Sequence, residues 1–311
     1  MNLFKAFALK GLSALLFALL SACIRYLGES QVPLGQLVFF RAAFAIVPVV
    51  LIDAWRGELI GIVRTARPFG HLLRGTISMA GMFLNFAALA RLPLVDATAI
   101  SFAAPLITVA FAAFFLGERV RIYRWSAVAV GFGGIVVMLW PYLNLSQYAA
   151  GGSATVAATV GAACGMLAAF TNAGSVIQTR RLTDTETTSA IVFYFSLYCA
   201  IAGLATLPFG WVWPTATQLA VLIATGVIGG LAHIVLTSSY HYAPASLVAP
   251  LDYTTMIWAF VFGYVLFGEL PTIYVFIGGA IVAASGIFVL WRERQLGQRR
   301  DQEAEGPANI S

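Results

Sequence analysis

Two charged side chains lie within long apolar stretches of the chain, where an ion is costly. Arg41 follows Phe39 and Phe40 in one stretch, and Asp252 precedes Tyr253 in another. A charge at the centre of a membrane span costs about 2.5–3.5 kcal/mol on insertion scales, so such residues usually face a cavity or a partner. Two interpretations of Asp252 are therefore open. It is either half of a structural ion pair, with Arg41 as a partner, or a site that binds a ligand or a coupling proton.

A further set of polar and aromatic residues within the apolar stretches could bind an organic molecule. Hydroxyl, amide and imidazole groups bind polar substituents, and aromatic rings stack on flat ones. Each of these residues also has an ordinary interpretation as an interhelical hydrogen-bonding or packing group. The candidate substrate-binding residues are Asp252, Tyr253, Trp258, Ser101, Phe102, Asn85, His233 and Asn172, and the candidates for a structural or coupling role are Arg41 and Asp252.

The composition indicates what kind of protein must position these residues. The chain has 311 residues, of which 60% are apolar and only 10% are charged. Ordinary soluble domains are about 25% charged, so a soluble enzyme and a disordered protein are both excluded. Long apolar runs, rather than alternating polar and apolar residues, favour an all-α integral membrane protein.

Ten apolar runs are long enough to cross a membrane. A bilayer core of about 30 Å needs about 20 helical residues. The connections between the runs are short and leave no room for a soluble domain. The predicted transmembrane helices are 7–26, 33–52, 71–90, 93–116, 122–140, 154–177, 187–207, 217–239, 245–266 and 272–291.

The basic residues predict the orientation of these spans. Cytoplasmic loops of membrane proteins carry an excess of lysine and arginine. With the N-terminus inside, 15 of the 18 basic residues, Lys10 among them, fall on the cytoplasmic side. Arg25 and Arg91 fall outside, and Arg41 lies within a span. We therefore expect both termini in the cytoplasm.

An internal repeat divides the chain into two halves of five spans. Glu118 and Glu269 follow the fourth and ninth spans, and Ile122 and Ile273 begin the fifth and tenth, all at an offset of 151 residues. An odd number of spans inverts the second copy, and such inverted repeats are typical of transporters with a site near the midplane. The predicted segments are a cytoplasmic N-terminus (1–6), a first five-helix repeat (7–140), an extracytoplasmic linker (141–153), a second repeat (154–291) and a disordered cytoplasmic tail (292–311).

The repeat pairs Asp252 with Ser101, and Tyr253 with Phe102. At about 1.5 Å per residue, Asp252 and Ser101 each lie about 12 Å from one membrane face, close to the midplane. Pro105 cannot donate a hydrogen bond to the carbonyl of Ser101, and a freed carbonyl is tolerated where it lines a cavity or finds a partner. A midplane site is therefore predicted here. The alternative is a Ser101 hydroxyl that bonds only to its own helix.

Other classes of function lack their motifs. The chain has no Walker A sequence, no HExxH and no Cys/His spacing typical of zinc, so we expect no metal, no cofactor and no ATP hydrolysis by that route. Its two lysines and scattered arginines form no patch that would bind nucleic acid. An intramembrane enzyme using Ser101, His233 and Asp252 is the remote alternative to a carrier, and a passive channel is a third class.

Several motifs together resemble a known family. The Phe39-Phe40-Arg41 start of the second span, Pro105 in the fourth, and the Gly-Glu pairs after the fourth and ninth resemble the EamA branch of the drug/metabolite transporter (DMT) superfamily over residues 8–291. The resemblance implies two inverted five-helix repeats and transport by alternating access. It also implies a cavity lined by spans 1, 3, 4, 6, 8 and 9. One departure is Met256, where the family usually has a proline.

Two stretches resemble different groups within this family. Residues 249–258 resemble bacterial importers that include riboflavin transporters, and residues 68–138 resemble S-adenosylmethionine carriers. We expect riboflavin uptake by a multi-pass protein of the bacterial inner membrane. Its partners would be the lipid bilayer, a small-molecule substrate and, as a hypothesis, protons. The alternative is carriage of S-adenosylmethionine, or export of an amino acid or another metabolite.

Overall fold

The computed structural model describes residues 3–305 apart from residues 58, 117–120, 143–152, 183–184, 241, 243–250 and 253. All secondary structure in that part of the chain is helical. The first half contains α1 (Leu3–Glu29), α2 (Leu34–Arg56), α3 (Leu59–Val63), α4 (Pro68–Leu89), α5 (Leu94–Ser101), α6 (Ala103–Leu116), α7 (Ile122–Leu139) and a 3-10 turn (Trp140–Tyr142). The second half contains α8 (Ser153–Leu182), α9 (Thr188–Leu204), a 3-10 turn (Leu207–Phe209), α10 (Ala216–Tyr240), α11 (Thr254–Phe267) and α12 (Ile273–Glu305).

Within the described residues, seven helical segments are long and apolar enough to cross a membrane. Three shorter apolar helices, Ser189–Leu204, Thr254–Phe267 and Ile273–Val289, accompany them. The prediction of an all-helical protein with membrane-crossing helices is confirmed. The first six residues of the predicted ninth span, 245–250, lie outside the described residues.

Two helices, α2 and α11, are each followed by a glycine with a positive φ. Gly57 ends α2 with a φ of +74°, and its N–H bonds to the carbonyls of Ala54 and Asp53. Gly268, with a φ of +64°, follows α11. A positive φ is strained for other residues, so glycine is the usual residue just after a helix.

The predicted fourth span is two helices, α5 and α6, interrupted at Phe102. The N–H of Phe102 bonds to Ala99, one residue nearer than an α-helix requires. Pro105 supplies no N–H for the carbonyl of Ser101, so the regular ladder cannot pass through this point. The interruption lies where the sequence predicts a kink.

Several helix boundaries recur at the repeat offset. Helices α6 and α11 each have 14 residues, and they begin at Ala103 and Thr254. Helices α7 and α12 begin at Ile122 and Ile273. All of these starting points are separated by the offset of the sequence repeat.

The long helices pack against one another along the bundle. Helix α1 packs against α10, α11 and α4, while α8 packs against α4, α5 and α6. Helices α2 and α9 form one pair, with α2 also against α10 and α9 also against α4, and α7 with α12 forms another. We call α1, α4, α5–α6, α8, α10 and α11, which correspond to the predicted cavity-lining spans, the central segments.

Helix α12 continues beyond the predicted last span. It runs through Glu305, whereas the span was expected to end at residue 291 and disorder was expected over 292–311. Glutamate, glutamine and arginine dominate residues 292–305 and are good helix formers. The apolar part of the helix is Ile273–Val289.

Candidate functional site

Asp252 pairs with Lys10, and the sequence-based choice of Arg41 as its partner was wrong. The Nζ atom of Lys10 lies 2.6 Å from Oδ1 of Asp252. The lysine side chain is 1% exposed, whereas the aspartate side chain is 54% exposed. Helix α1 begins at Leu3, four residues before the predicted span, so Lys10 lies two turns inside the helix. The apolar residues Phe4, Ala6, Phe7, Ala8 and Leu9 were the signal for this earlier start.

Arg41 lies between α2 and α10 and is 6% exposed. Its guanidinium lies against Gly229, where an added β-carbon would lie 2.7 Å from both Cζ and Nε. Glycine at this position therefore makes room for the arginine head group. Within the described part of the chain, no hydrogen bond or ion pair of the Arg41 side chain is recorded.

His233 follows Gly229 by one helical turn and is exposed, although α10 is wedged between α1 and α2. Its ring meets the ring of Phe17 edge to face, with 5.1 Å between centroids. Phe17 and Lys10 are two turns apart on α1, so they share one face of that helix. Along α1 the structure thus connects the Lys10–Asp252 pair, about 10 Å from Phe17, to His233, on which Arg41 acts electrostatically. We call Lys10, Arg41, His233 and Asp252 the interior polar site.

Arg74 adds another positive charge near this region. Its Nε donates to Oγ1 of Thr179 at 2.6 Å, and its Nη1 donates to the carbonyl of Ile191 at 3.0 Å. Its guanidinium also lies 5.3 Å from the centre of the Phe195 ring. Arg41 and Arg74 both act electrostatically on His233. The bonds of Arg74 go to neutral groups, and the buried carboxylate in this neighbourhood, Asp53, bonds to Ser189.

Ser101 and Phe102 lie at the interruption between α5 and α6. Ser101 is exposed, and its hydroxyl donates to the carbonyl of Thr98 at 2.6 Å. This is the alternative in which the hydroxyl satisfies its own helix, and its oxygen can still accept a further hydrogen bond. Phe102 is half-buried and packs on a core cluster around Ala99, Ala103 and Met138.

The remaining candidates that the structure describes lie on α11, α4 and α8. Trp258 is half-buried, and its ring stacks near that of Phe262 with 6.4 Å between centroids. Asn85 is half-buried on α4, and Asn172 is exposed on α8. Tyr253 lies outside the described residues.

One end of the bundle, which we call the Arg25 end, is closed by an ion pair that sequence analysis missed. Nε and Nη2 of Arg25 donate to Oε1 of Glu269 at 3.1 and 2.9 Å. Nη1 of Arg25 donates to the carbonyl of Ala90 at 3.2 Å, and Oε2 of Glu269 accepts from the backbone N–H of Leu94 at 2.6 Å. These bonds join α1, the segment between α4 and α5, and the residue after α11. The sequence feature that could have identified Glu269 as a partner was the Gly-Glu motif that recurs after the fourth and ninth spans.

Asp96 lies at the same end and is 1% exposed. It accepts a hydrogen bond from the hydroxyl of Tyr142. The carbonyl of Tyr142 in turn accepts from Thr159 of α8 at 3.1 Å. This contact therefore ties α5 and the end of α7 to α8.

Glu186 lies at the other end, which we call the Lys10 end, in the turn between α8 and α9. Its Oε1 accepts from the hydroxyl of Thr65 and from the backbone N–H groups of Ala66 and Arg67 at 2.8–2.9 Å. Its Oε2 lies 3.4 Å from Nε2 of His71. Burial raises the pKa of Glu186, but the bonds from Thr65, His71, Ala66 and Arg67 together lower the pKa below its ordinary value.

His71 lies in the first turn of α4. Leu89 ends that helix, and its carbonyl lies beside Arg25. The 18 residues between His71 and Leu89 span about 27 Å, so the Arg25 end and the Lys10 end are opposite. No group of three or more His, Cys, Asp or Glu side chains suited to a metal occurs among the residues that the structure describes.

Curated relatives of this chain are named for three different substrates. An S-adenosylmethionine uptake transporter of Rickettsia conorii is 27% identical, over 89% of this chain and 90% of the relative. The pseudopaline exporter CntI of Pseudomonas aeruginosa is 27% identical over 89% and 92%. A riboflavin transporter of Rhizobium johnstonii is 28% identical over 91% and 89%.

A crystal structure of a protein with 20% identity superposes with a TM-score of 0.63, covering 90% of this chain and 95% of that one. At this identity the likeness shows the fold alone. The EamA-like transporter family matches residues 6–140 and 159–291. With both halves of the chain matched, and with seven helices among the described residues able to cross a membrane, this protein belongs to the EamA-like transporter family.

Proposed function

We propose that this protein is a secondary carrier that moves a small organic metabolite across the bacterial inner membrane by alternating access. The observation that carries the proposal is the interior polar site. His233, Ser101 and Asn172 are exposed on central segments, and Asp252 is exposed just before α11. Exposed polar groups within apolar helices are typical of a substrate pathway.

The proposed architecture is ten spans in two inverted repeats, 7–140 and 154–291, joined by the linker 141–153. The recurrence of helix boundaries at Ala103 and Thr254, and at Ile122 and Ile273, supports it. The excess of basic residues on one side supports cytoplasmic termini, including the segments 1–6 and 292–311. In that orientation the Arg25 end faces outward and the Lys10 end faces the cytoplasm.

Riboflavin uptake is the first candidate activity. It is supported by the likeness to the riboflavin transporter of Rhizobium johnstonii and by aromatic rings near the central segments. Trp258 and Phe102 would stack on a flat ring system, while Asp252, His233 and the amides of Asn85 and Asn172 would bind its polar edge. Tyr253, the repeat mate of Phe102, belongs to the same proposed site.

A metabolite with a carboxylate, such as S-adenosylmethionine, is the second candidate. A specific observation favours it: the interior contains Lys10, Arg41 and Arg74, but only Asp252 pairs with one of them among the described residues. A guanidinium such as that of Arg41 suits the carboxylate of this compound, although its sulfonium and ammonium groups make the compound as a whole a cation. The S-adenosylmethionine transporter of Rickettsia conorii supports the same candidate.

Counterflow in proteoliposomes tests this function. Vesicles loaded with unlabelled riboflavin or S-adenosylmethionine should take up the same labelled compound in a saturable way. Asp252→Asn should reduce uptake at least about tenfold, because a lost hydrogen bond to a charged group costs about 1.5–3 kcal/mol. Glu29→Gln is the matched control, since Glu29 is a 45% exposed carboxylate beside Arg25.

The alternatives predict other results. Uptake that rises linearly with concentration and shows no counterflow would indicate a channel, and chemical conversion without a gradient would indicate an enzyme. Proton coupling through Asp252 is tested by an imposed pH gradient. If Asp252→Asn leaves pH-driven accumulation unchanged, that hypothesis is wrong.

A further inference from the structure

Arg41 is a buried cation for which the described protein supplies no counter-charge. It is 6% exposed, and buried charges in proteins are normally paired with an anion or bonded through most of their donors. Asp252 is taken by Lys10 at 2.6 Å. Asp53 lies on the same helix as Arg41, but 12 residues further along, which is about 18 Å.

The carbonyls of the surrounding helices offer little substitute. In the interior of an α-helix each carbonyl already accepts from the N–H four residues later. The exception in α2 is the carbonyl of Phe44, because Pro48 has no N–H. Arg74 shows how an arginine in this region can be satisfied by neutral groups, since it bonds to Thr179 and to the carbonyl of Ile191 near the start of α9. Arg41 has no comparable bond among the described residues.

The position of the Arg41 guanidinium is specified by the protein. Gly229 leaves the space that the guanidinium fills, because any β-carbon there would lie within 2.9 Å of Cζ, Nε and Nη2. The neighbouring Gly226 and Gly230 lie against Phe44 and Pro48, so α2 and α10 approach closely on both sides of it. His233, one turn along α10, is exposed on the adjoining surface.

We infer that Arg41 is an anion-binding residue of the interior polar site, and that the transported compound carries a carboxylate or phosphate which this guanidinium holds. The inference rests on the proposed carrier function and narrows its substrate class. A planar guanidinium offers parallel N–H donors that match two oxygens of one carboxylate or phosphate.

Pairs of compounds that differ only in the anionic group test the inference. S-adenosylmethionine is compared with its decarboxylated form, and flavin mononucleotide with riboflavin, by titration of tryptophan fluorescence in the purified full chain. We expect the anionic member of at least one pair to bind about 10- to 100-fold more tightly, as for a hydrogen bond to a charged group. Arg41→Gln should abolish that preference, and Arg41→Lys should retain part of it.

Two further variants keep the test decisive. Gly229→Ala keeps the positive charge but displaces the guanidinium, so it should reduce the preference even if Arg41→Gln does not fold. Arg91→Gln is the matched control, because Arg91 is an exposed arginine in the turn after α4, bonded to the carbonyl of Ala87 in that helix. Arg91→Gln should leave the preference unchanged.

Three outcomes would overturn the inference. They are equal binding of both members of each pair, an unchanged preference in Arg41→Gln and Gly229→Ala, and thermal stabilisation by phosphate or chloride alone with no preference among organic compounds. The last outcome would assign the site to a small co-ion. If neither pair of compounds binds, the thermal stabilisation of the protein by citrate is measured instead. Stabilisation that depends on Arg41 supports the inference, and a lack of such stabilisation overturns the inference. If the protein shows no counterflow but keeps the binding preference, the carrier proposal is rejected and the anion site is retained.

Discussion

Helix α1 carries an ion pair near each of its ends, and both pairs join it to residues that flank α11. Lys10 pairs with Asp252 just before α11, and Arg25 pairs with Glu269 just after it. At the Arg25 end both side chains are nearly buried, with 14% and 12% exposed. At the Lys10 end the lysine is 1% exposed but the aspartate is 54% exposed.

The pair at the Arg25 end also engages backbone groups. Arg25 and Glu269 bond in addition to the backbone of Ala90 and Leu94, so breaking the pair would strand several buried polar groups. Asp252 can exchange its partner for water because half of its surface is open. The difference indicates that the Arg25 end is firmly closed in this structure, and that the Lys10 end is the looser of the two. A carrier by alternating access needs this kind of asymmetry between its ends.

The largest expected effect of a single change is at Glu269. Glu269→Gln removes the negative charge and leaves Arg25 without its nearly buried partner, which should lower the free energy of unfolding by about 3 kcal/mol. Unfolding of the purified protein in detergent, followed by tryptophan fluorescence, measures the loss.

Glu29→Gln is the control for that variant. Glu29 lies one turn from Arg25 with 45% of its side chain exposed, so its loss should cost less than about 1 kcal/mol. Equal losses for the two variants would mean that the Arg25 end is not held by a buried pair, and the contrast between the two ends of α1 would fail.

At the Lys10 end, replacing the aspartate is expected to lower the free energy of unfolding more than replacing the lysine. Asp252→Asn leaves a buried ammonium with a weaker partner and should cost about 1–3 kcal/mol. Lys10→Met leaves an aspartate that can hydrate, so the loss should be below about 1 kcal/mol. The same unfolding measurement on both variants tests the order. A larger loss for Lys10→Met would mean that Asp252 depends on the lysine more than its exposure suggests.

The elements of this fold were largely predictable because each leaves a strong local signal. Apolar runs of about 20 residues have few alternatives to a membrane helix. The offset between Ile122 and Ile273 predicted where α7 and α12 begin, and Pro105 predicted the interruption beside Ser101. These features depend on residues close together in sequence.

The site was less predictable because its contacts join distant parts of the chain. Nothing near Lys10 or Arg25 in sequence indicates Asp252 or Glu269 as a partner. Depth in the membrane suggested Arg41 for Asp252, but depth does not say on which side of a helix a residue lies, and Arg41 faces Gly229 instead. Tertiary packing, rather than any local rule, decides such pairings.

The smallest expected effect concerns Glu186, which ties together loops at the Lys10 end without crossing between α1 and α11. Its lowered pKa means that the folded state binds its proton less readily than the unfolded state. Its stabilising contribution is therefore complete above the ordinary glutamate pKa of about 4.3 and is lost as the pH falls through the lower pKa of the folded protein.

Glu186→Gln should accordingly reduce stability by about 1 kcal/mol near neutral pH, and the difference from the unsubstituted protein should shrink as the pH falls below about 4. Thermal unfolding of both proteins across this range measures the difference. Asp252→Asn should not share its pH profile, because Glu186 bonds to the loop at residues 65–67 and not to α1. A difference that grows in acid would show that Glu186 acts through something other than its ionised form. The looseness of the Lys10 end would then have to be sought at the Lys10–Asp252 pair alone.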